Sequence, residues 1–306
     1  MEIIKPGINI DLVGKMKIAF VVSLSAIIIS ILSLILHGGP NLGIDFAGGT
    51  LVQIKFSQET SADRIRDSLK TIDLGNSVIQ RFGYQDNNEF LIKTEKSSSA
   101  IKGLSSKIEE ALNSSYNKGD FEIRRVEVVG PKVGRDLREK GMLAMLYAVL
   151  GILIYVTWRF ELRYAVGAVT ALIHDVIITV GILSLLDKEF TLPIIAALLA
   201  IIGYSLNDTI VVYDRIRENI KGIRKQPLKD IVNSSINQVL SRTVLTSATT
   251  LLVIIALFFL GGAVIHDFAF AMLVGILVGT YSSIFIASPT VLIWESVSPS
   301  KEKRKK

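Results

Sequence analysis

The chain contains no cysteine. That excludes disulfides, thiolate nucleophiles and cysteine-type zinc sites. Histidine is nearly as scarce: His37, His174 and His266 lie far apart, and none follows an HExxH-like spacing. No metal site is therefore expected. No pattern pairs a nucleophile with a base, so a hydrolytic enzyme is not expected either. The formal net charge is +6, yet no basic helix or RNA-type aromatic motif accompanies it, and nucleic acid is not an expected partner.

What the chain has in excess is apolar sequence. Half of it, 50%, is hydrophobic, and the mean hydropathy of +0.47 is that of an integral membrane protein. Lys and Arg gather in particular loops and at both termini, as the positive-inside rule requires. Residues 1–17 form a polar N-terminal lead, expected inside. Six apolar runs follow, at 18–36, 141–157, 165–186, 192–213, 242–260 and 268–294. Each is of a length that crosses about 30 Å of hydrocarbon, alone or with a short interfacial extension. The segment at 214–241 reads as an inner loop holding an amphipathic helix, with Leu228, Ile231, Val232, Ile236 and Leu240 at helical spacing. It is expected on the inner membrane surface or against the bundle. A basic tail, 295–306, ends the chain inside.

Residues 38–140 have a different character, with mixed charge and short alternating runs. The spacing predicts a strand over 43–56, a helix over 61–72 capped by Ser61, and strands over 77–82 and 89–93 around a turn at 83–88. A second helix is expected over 98–116 and a closing strand over 121–129. This β-α-β-β-α-β order is ferredoxin-like. The expected fold class is thus an α-helical membrane protein with six transmembrane helices and one α+β ferredoxin-like domain on the outer, periplasmic side between helices 1 and 2.

The stretch 196–219, AALLAIIGYSLNDTIVVYDRIREN, places Asn207 and Asp208 inside an apolar run. A carboxylate in a span costs roughly 2.5–3.5 kcal/mol on insertion scales, so a partner charge, water or a bound proton must offset it. Arg242 stands at the expected mouth of the next run at similar depth, within reach of Asp208. One reading is a static ion pair that fixes helix packing. The other is a titratable acid toggled by the nearness of the arginine. Asp175, mid-span in the third run, is a second deep acid. His174 precedes it but points about 100° away on a helix. Asn207 reads as a polar packing residue or a site of hydration.

Two glycine-rich segments flank the outer domain. Gly43, Asp45, Phe46, Gly48 and Gly49 belong to GIDFAGGT; no Lys-Ser/Thr follows, so a hinge is expected rather than a phosphate cradle. Gly130, Pro131 and Gly134 belong to VGPKVGRDL, expected to be a linker on the return to the membrane. Gly275 and Gly279 form a GxxxG packing face in the last span.

Five motifs taken together resemble the SecF family: GIDFAGGT, VGPKVGRDL, LIHDVIITVGI, GYSLNDTIVVYDRIREN and NQVLSRTVLTSATT, in order along nearly the whole chain. That family supplies the small membrane subunit of the bacterial SecD–SecF export complex, within the resistance-nodulation-division superfamily. The resemblance implies a proton-driven subunit of the cell inner membrane, with both termini cytoplasmic. Protons would be the coupling ion and there would be no cofactor. The implied proton pathway contains Asp208 as the fourth-span carboxylate and Arg242 as the fifth-span arginine. The implied partners are SecD, the SecYEG channel, YajC, YidC and the unfolded exported polypeptide. Two other readings are a half-transporter for small-molecule efflux, for which the outer domain is too small, and a passive scaffold of the channel.

Overall fold

The computed structural model describes residues 8–82, 88–94, 104–117, 119–222 and 226–297. The expected turn at 83–88, except Asn88, the first residues of the expected second helix (98–103), Arg224, Lys225 and the tail from 298 onward lie outside them. The chain forms two compact units: a sheet unit, Leu42–Leu143 with Phe190–Leu192, and a helical unit, Met1–Asn41, Ala144–Glu189 and Pro193–Lys306.

The sheet unit runs α2 (Ile44–Ala47), β1 (Gly49–Phe56), α3 (Ala62–Leu69), β2 (Val78–Phe82), β3 (Glu89–Thr94), α4 (Leu104–Asn113) and β4 (Phe121–Val129). Its four strands lie in the order β2-β3-β1-β4, every pairing antiparallel. Alternate residues of β1, Val52, Ile54 and Phe56, face the same core as Phe90 and Ile92 of β3. Ile65 and Leu69 of α3 and Leu104, Ile108 and Leu112 of α4 close that core, leaving the sheet's other face open, as antiparallel sheets permit. Ser61 caps α3 as expected, its hydroxyl accepting the Arg64 N–H at 3.3 Å.

Two expectations in this unit need correction. Residues 44–47 are a helical turn, not the start of a strand, and β1 begins only at Gly49. The apolar Ile44 and Phe46 alternate like a strand, but Gly48 and Gly49 have positive φ (78° and 133°) and redirect the chain between the two. Nor is 130–137 a linker. Pro131 opens α5 (Pro131–Arg159), a continuous helix of 29 residues. Proline is tolerated there because its missing N–H has no intrahelical acceptor.

The helical unit contains α1 (Met16–Leu36), the body of α5, α6 (Leu162–Leu185), α7 (Leu192–Gly222), α8 (Leu228–Leu260) and α9 (Gly262–Ser282). After α9 come a π-helical segment, Ser283–Ala287, and α10 (Ser288–Val297). Six of the helical stretches are long and apolar enough to cross a membrane, α9 through α10 counting as one. Their packing is inverted relative to a water-soluble bundle. The buried residues of α1 are Ala19, Ser23, Ser30 and Ser33, while Ile18, Phe20, Leu32 and Ile35 face outward. Small residues let helices approach closely in lipid: Ser33 Oγ lies 2.9 Å from Ser184 Oγ, and Gly181 packs directly on Ser30.

The expected amphipathic helix is not a separate element. It is the first part of α8, and α7 likewise continues past the expected span to Gly222. Val232, Ile236 and Leu240 share one buried core with Tyr164, Tyr213 and Ile216, so the helix packs on the bundle. The N-terminal lead is strapped to this face. Asn233 Oδ1 accepts the amides of Leu12 and Val13, Asn237 Oδ1 accepts that of Ile10, and both side-chain amides donate back to Ile10 O.

A candidate proton site in the helical bundle

The structure surrounds Asp175 with donors from three helices. Asp175 is 1% exposed. Its Oδ2 accepts from Ser205 Oγ of α7 at 2.6 Å and from Ser282 Oγ of α9 at 2.8 Å. Its Oδ1 lies 2.9 Å from His174 Nδ1. The sequence expectation that His174 points away is therefore corrected: the ring turns toward its neighbour. With Nδ1–H donating to the carboxylate, Nε2 lies 3.1 Å from Ser23 Oγ of α1. Ser23 in turn lies 2.9 Å from the Tyr281 hydroxyl, which donates to Ala19 O. Tyr281 also stacks on the His174 ring. The result is a closed polar network joining α1, α6, α7 and α9. Buried polar groups are stable when satisfied in this way.

Asp208, one turn beyond Ser205 on α7, is 2% exposed and is treated differently. Among the described residues its one hydrogen bond is long, 3.4 Å from Ser247 Oγ of α8. Ser247 is itself shared with Thr280 Oγ1 of α9 at 2.7 Å. Thr280, Tyr281 and Ser282 are consecutive, so the end of α9 bonds Asp175 directly and reaches Asp208 through Ser247. The π-helical segment begins at the next residue, and such segments often occur at functional positions. The wide turn is held by side chains: Tyr213 donates to Ala287 O and Ser288 to Ser283 O, both at 3.0 Å.

Arg242 and Asn207 are not bonded into this cluster, although the Arg242 charge lies near enough to act on Asp208. Among the described residues no ion pair within 4 Å joins Arg242 to Asp208, and Arg242 is exposed on α8. Because α8 begins at Leu228, Arg242 lies inside a continuous helix rather than at its mouth, five residues or about 7.5 Å along the axis from Ser247. Asn207 continues the exposed stripe Ala196, Ala200, Gly203 on α7 and is itself exposed. Gly275 and Gly279 lie where α9 meets its neighbours. A Cβ on Gly275 would lie 2.2 Å from Ile201 Cδ1, and one on Gly279 would lie 3.0 Å from Ser205 Cβ and 3.5 Å from Asp175 Oδ2. Gly275 lets α9 close on α7, and Gly279 lets it close on Ser205 of α7 and Asp175 of α6, where Ser282 bonds the carboxylate.

The residues that sequence reasoning missed are the hydroxyls, Ser23, Ser205, Ser247, Thr280 and Ser282. The available signal was hydroxyls recurring in apolar runs, one of them a single turn before Asp208.

The sequence and fold have known relatives. Residues 108–297 match the model for the C-terminal part of the protein export membrane proteins SecD/SecF, and residues 33–60 match the SecD/SecF GG motif. The chain is 51% identical over 304 residues to a protein translocase subunit SecF from Magnetococcus marinus, covering 98% of this chain and 97% of that one. It is 42% identical to a protein of the same name from Pseudomonas aeruginosa, covering 94% and 91%. The crystal structure of SecDF, a translocon-associated membrane protein from Thermus thermophilus, superposes with a TM-score of 0.85 at 39% identity. That match covers 95% of this chain but only 39% of the SecDF chain.

Proposed function

The chain belongs to the SecD/SecF family of protein-export membrane proteins, and we propose that it is the SecF half of a proton-driven export machine in which Asp208 takes up and releases the coupling proton. One observation carries this reading: a buried carboxylate in a membrane helix that keeps a single long hydrogen bond. A charge so placed is costly unless it is neutralised or paired, and among the described residues no set of hydrogen-bond donors ties it down as Asp175 is tied.

The second half of the site comes from SecD. Asn207 and Arg242 face outward from the helices that carry Asp208 and Ser247, and polar side chains at membrane depth are covered by protein or line a water-filled cavity. The small stripe Ala196, Ala200 and Gly203 allows a partner helix to approach closely there. In this arrangement Arg242 belongs to the joint surface and nears Asp208 in only one state of the complex, while the Asp175 network holds α6, α7 and α9 in register beside it.

The machine sits in the inner membrane with both termini cytoplasmic. The sheet unit is a ferredoxin-like domain on the periplasmic side, where it handles the unfolded polypeptide emerging from SecYEG; YajC and YidC complete the assembly. Protons supply the free energy and no cofactor is needed. One charge crossing 100 mV contributes about 2.3 kcal/mol, enough to shift a two-state equilibrium by a factor of tens.

The test is ATP-dependent export into inverted vesicles carrying the chain with SecD, with and without a proton gradient. Asp208→Asn is expected to assemble normally and to show only the uncoupled rate. If the variant responds to the gradient as the wild type does, the coupling lies elsewhere and the chain is a passive scaffold.

A further inference from the structure

Residues 43–49 are gripped on two sides, which a free hinge does not require. On one side Gly43 N–H donates to Phe190 O at 2.9 Å, Leu42 bridges to Phe190 in parallel, and the Phe46 and Phe190 rings lie 5.9 Å apart. On the other side the segment lies against the first turn of α5. A Cβ on Gly134 would stand 2.9 Å from Phe46 O, and one on Gly48 3.0 Å from Pro131 Cα. All of these residues belong to the sheet unit.

The remaining motif side chain is Asp45. Its Oδ2 accepts the backbone N–H of Leu192 at 2.9 Å, across 147 residues of sequence. Leu192 is the first residue of α7. The opening amides of a helix lack intrahelical acceptors and carry the positive end of its dipole, so a carboxylate is a favourable partner there. The next residue is Pro193, which has no N–H. Asp45 therefore holds one of the few donors that this first turn offers. α7 then runs without a break to Gly222, with Asp208 about 24 Å further along its axis.

We propose that Asp45 is a positioning residue: its carboxylate clasps the first turn of α7 to the glycine motif, so that the setting of the helix carrying Asp208 follows the motif. This rests on the proton-coupling reading above. The GIDFAGGT segment is then a clasp in which each conspicuous residue has a task. The glycines seat it on α5, Phe46 packs on Phe190, and Asp45 caps α7.

The experiment uses the full chain with SecD in vesicles and compares Asp45→Ala, Asp45→Asn and Asp208→Asn by gradient-stimulated export and by amide hydrogen exchange. In Asp45→Ala, exchange at Leu192 and Ile194 is expected to quicken about fivefold, the usual effect of losing a cap, and gradient stimulation is expected to fall to the uncoupled level. Asp45→Asn keeps an oxygen acceptor and is expected to restore most of both. Unchanged exchange in Asp45→Ala overturns the clasp whatever Asp208→Asn does. Faster exchange with wild-type gradient stimulation overturns its positioning role. Gradient stimulation that persists in Asp208→Asn overturns the proton reading alone, and the exchange result still decides the clasp. If Asp45→Ala does not assemble, Asp45→Leu, close to aspartate in size but without an acceptor, replaces it in the same comparison: exchange at Leu192 quicker than in wild type and Asp45→Asn supports the cap, and exchange no quicker than in wild type overturns it.

Discussion

Asp175 and Asp208 sit on neighbouring helices of one bundle, both almost completely buried, yet their surroundings differ. Asp175 has Ser205, Ser282 and His174 directed at it. Asp208 has one long contact from a serine that is shared with Thr280. A carboxylate with three partners fixes the elements that supply them. A carboxylate with one loose partner fixes little and is left free to change its state. The difference separates an anchor from a working group, and it arises from helix spacing. Gly279 lets α9 close on α7 around Asp175, while α8 meets Asp208 only through Ser247.

The same substitution at the two acids gives the sharpest contrast. Asp175→Asn places an amide NH2 among groups that all donate, and its cost is expected near 3 kcal/mol, since hydrogen bonds to a charged group are worth about 1.5–3 kcal/mol each. Thermal unfolding in detergent should show a clear fall in midpoint, whereas Asp208→Asn should unfold at or above the wild-type midpoint. Equal midpoints would remove the distinction between the two acids. A smaller effect is expected from Gly275→Ala. The new methyl would meet Ile201, which is itself buried, and overpacking of this kind costs about 1–3 kcal/mol. The same unfolding assay checks it, and an unperturbed midpoint would mean that α7 and α9 are less tightly apposed than described. The smallest effect is expected for Ser247→Ala, about 1 kcal/mol, since it removes the long contact to Asp208 and a hydroxyl partner of Thr280, which keeps its bond to Ile276 O. Its stability should be near wild type while the pH profile of gradient-coupled export moves. An unmoved profile would show that Ser247 does not sense the state of Asp208.

Much of this was legible before the structure. The six membrane-crossing stretches follow from apolar runs, and Asp208 and Asp175 stand out because acids in such runs are rare. The helix ends were less legible. Apolar runs mark where lipid is crossed, but helical hydrogen bonding continues past the interface, so α5 begins ten residues before its run, at Pro131, and α8 takes in the expected amphipathic helix. Pro131 was read as a linker residue because proline permits both a rigid turn and a helix start. Ile44 and Phe46 imitated a strand because a single helical turn is too short to show its own period. The donors of the site were hidden for a different reason. Many Ser and Thr residues line the spans, and the choice of Ser205 and Ser282 for one acid and Ser247 for the other depends on interhelical register. Arg242 was placed beside Asp208 by depth alone. Depth was a fair guide along the helix axis, but it did not reveal that the side chain faces outward.

The most direct test is infrared difference spectroscopy of the chain with SecD in lipid, recorded across the pH range in which gradient-coupled export changes, on the wild type and the two asparagine variants. The account predicts a carboxyl-protonation band that disappears in Asp208→Asn and survives in Asp175→Asn. A band that survives in Asp208→Asn and is lost in Asp175→Asn would contradict it, and would make the well-bonded acid the working one.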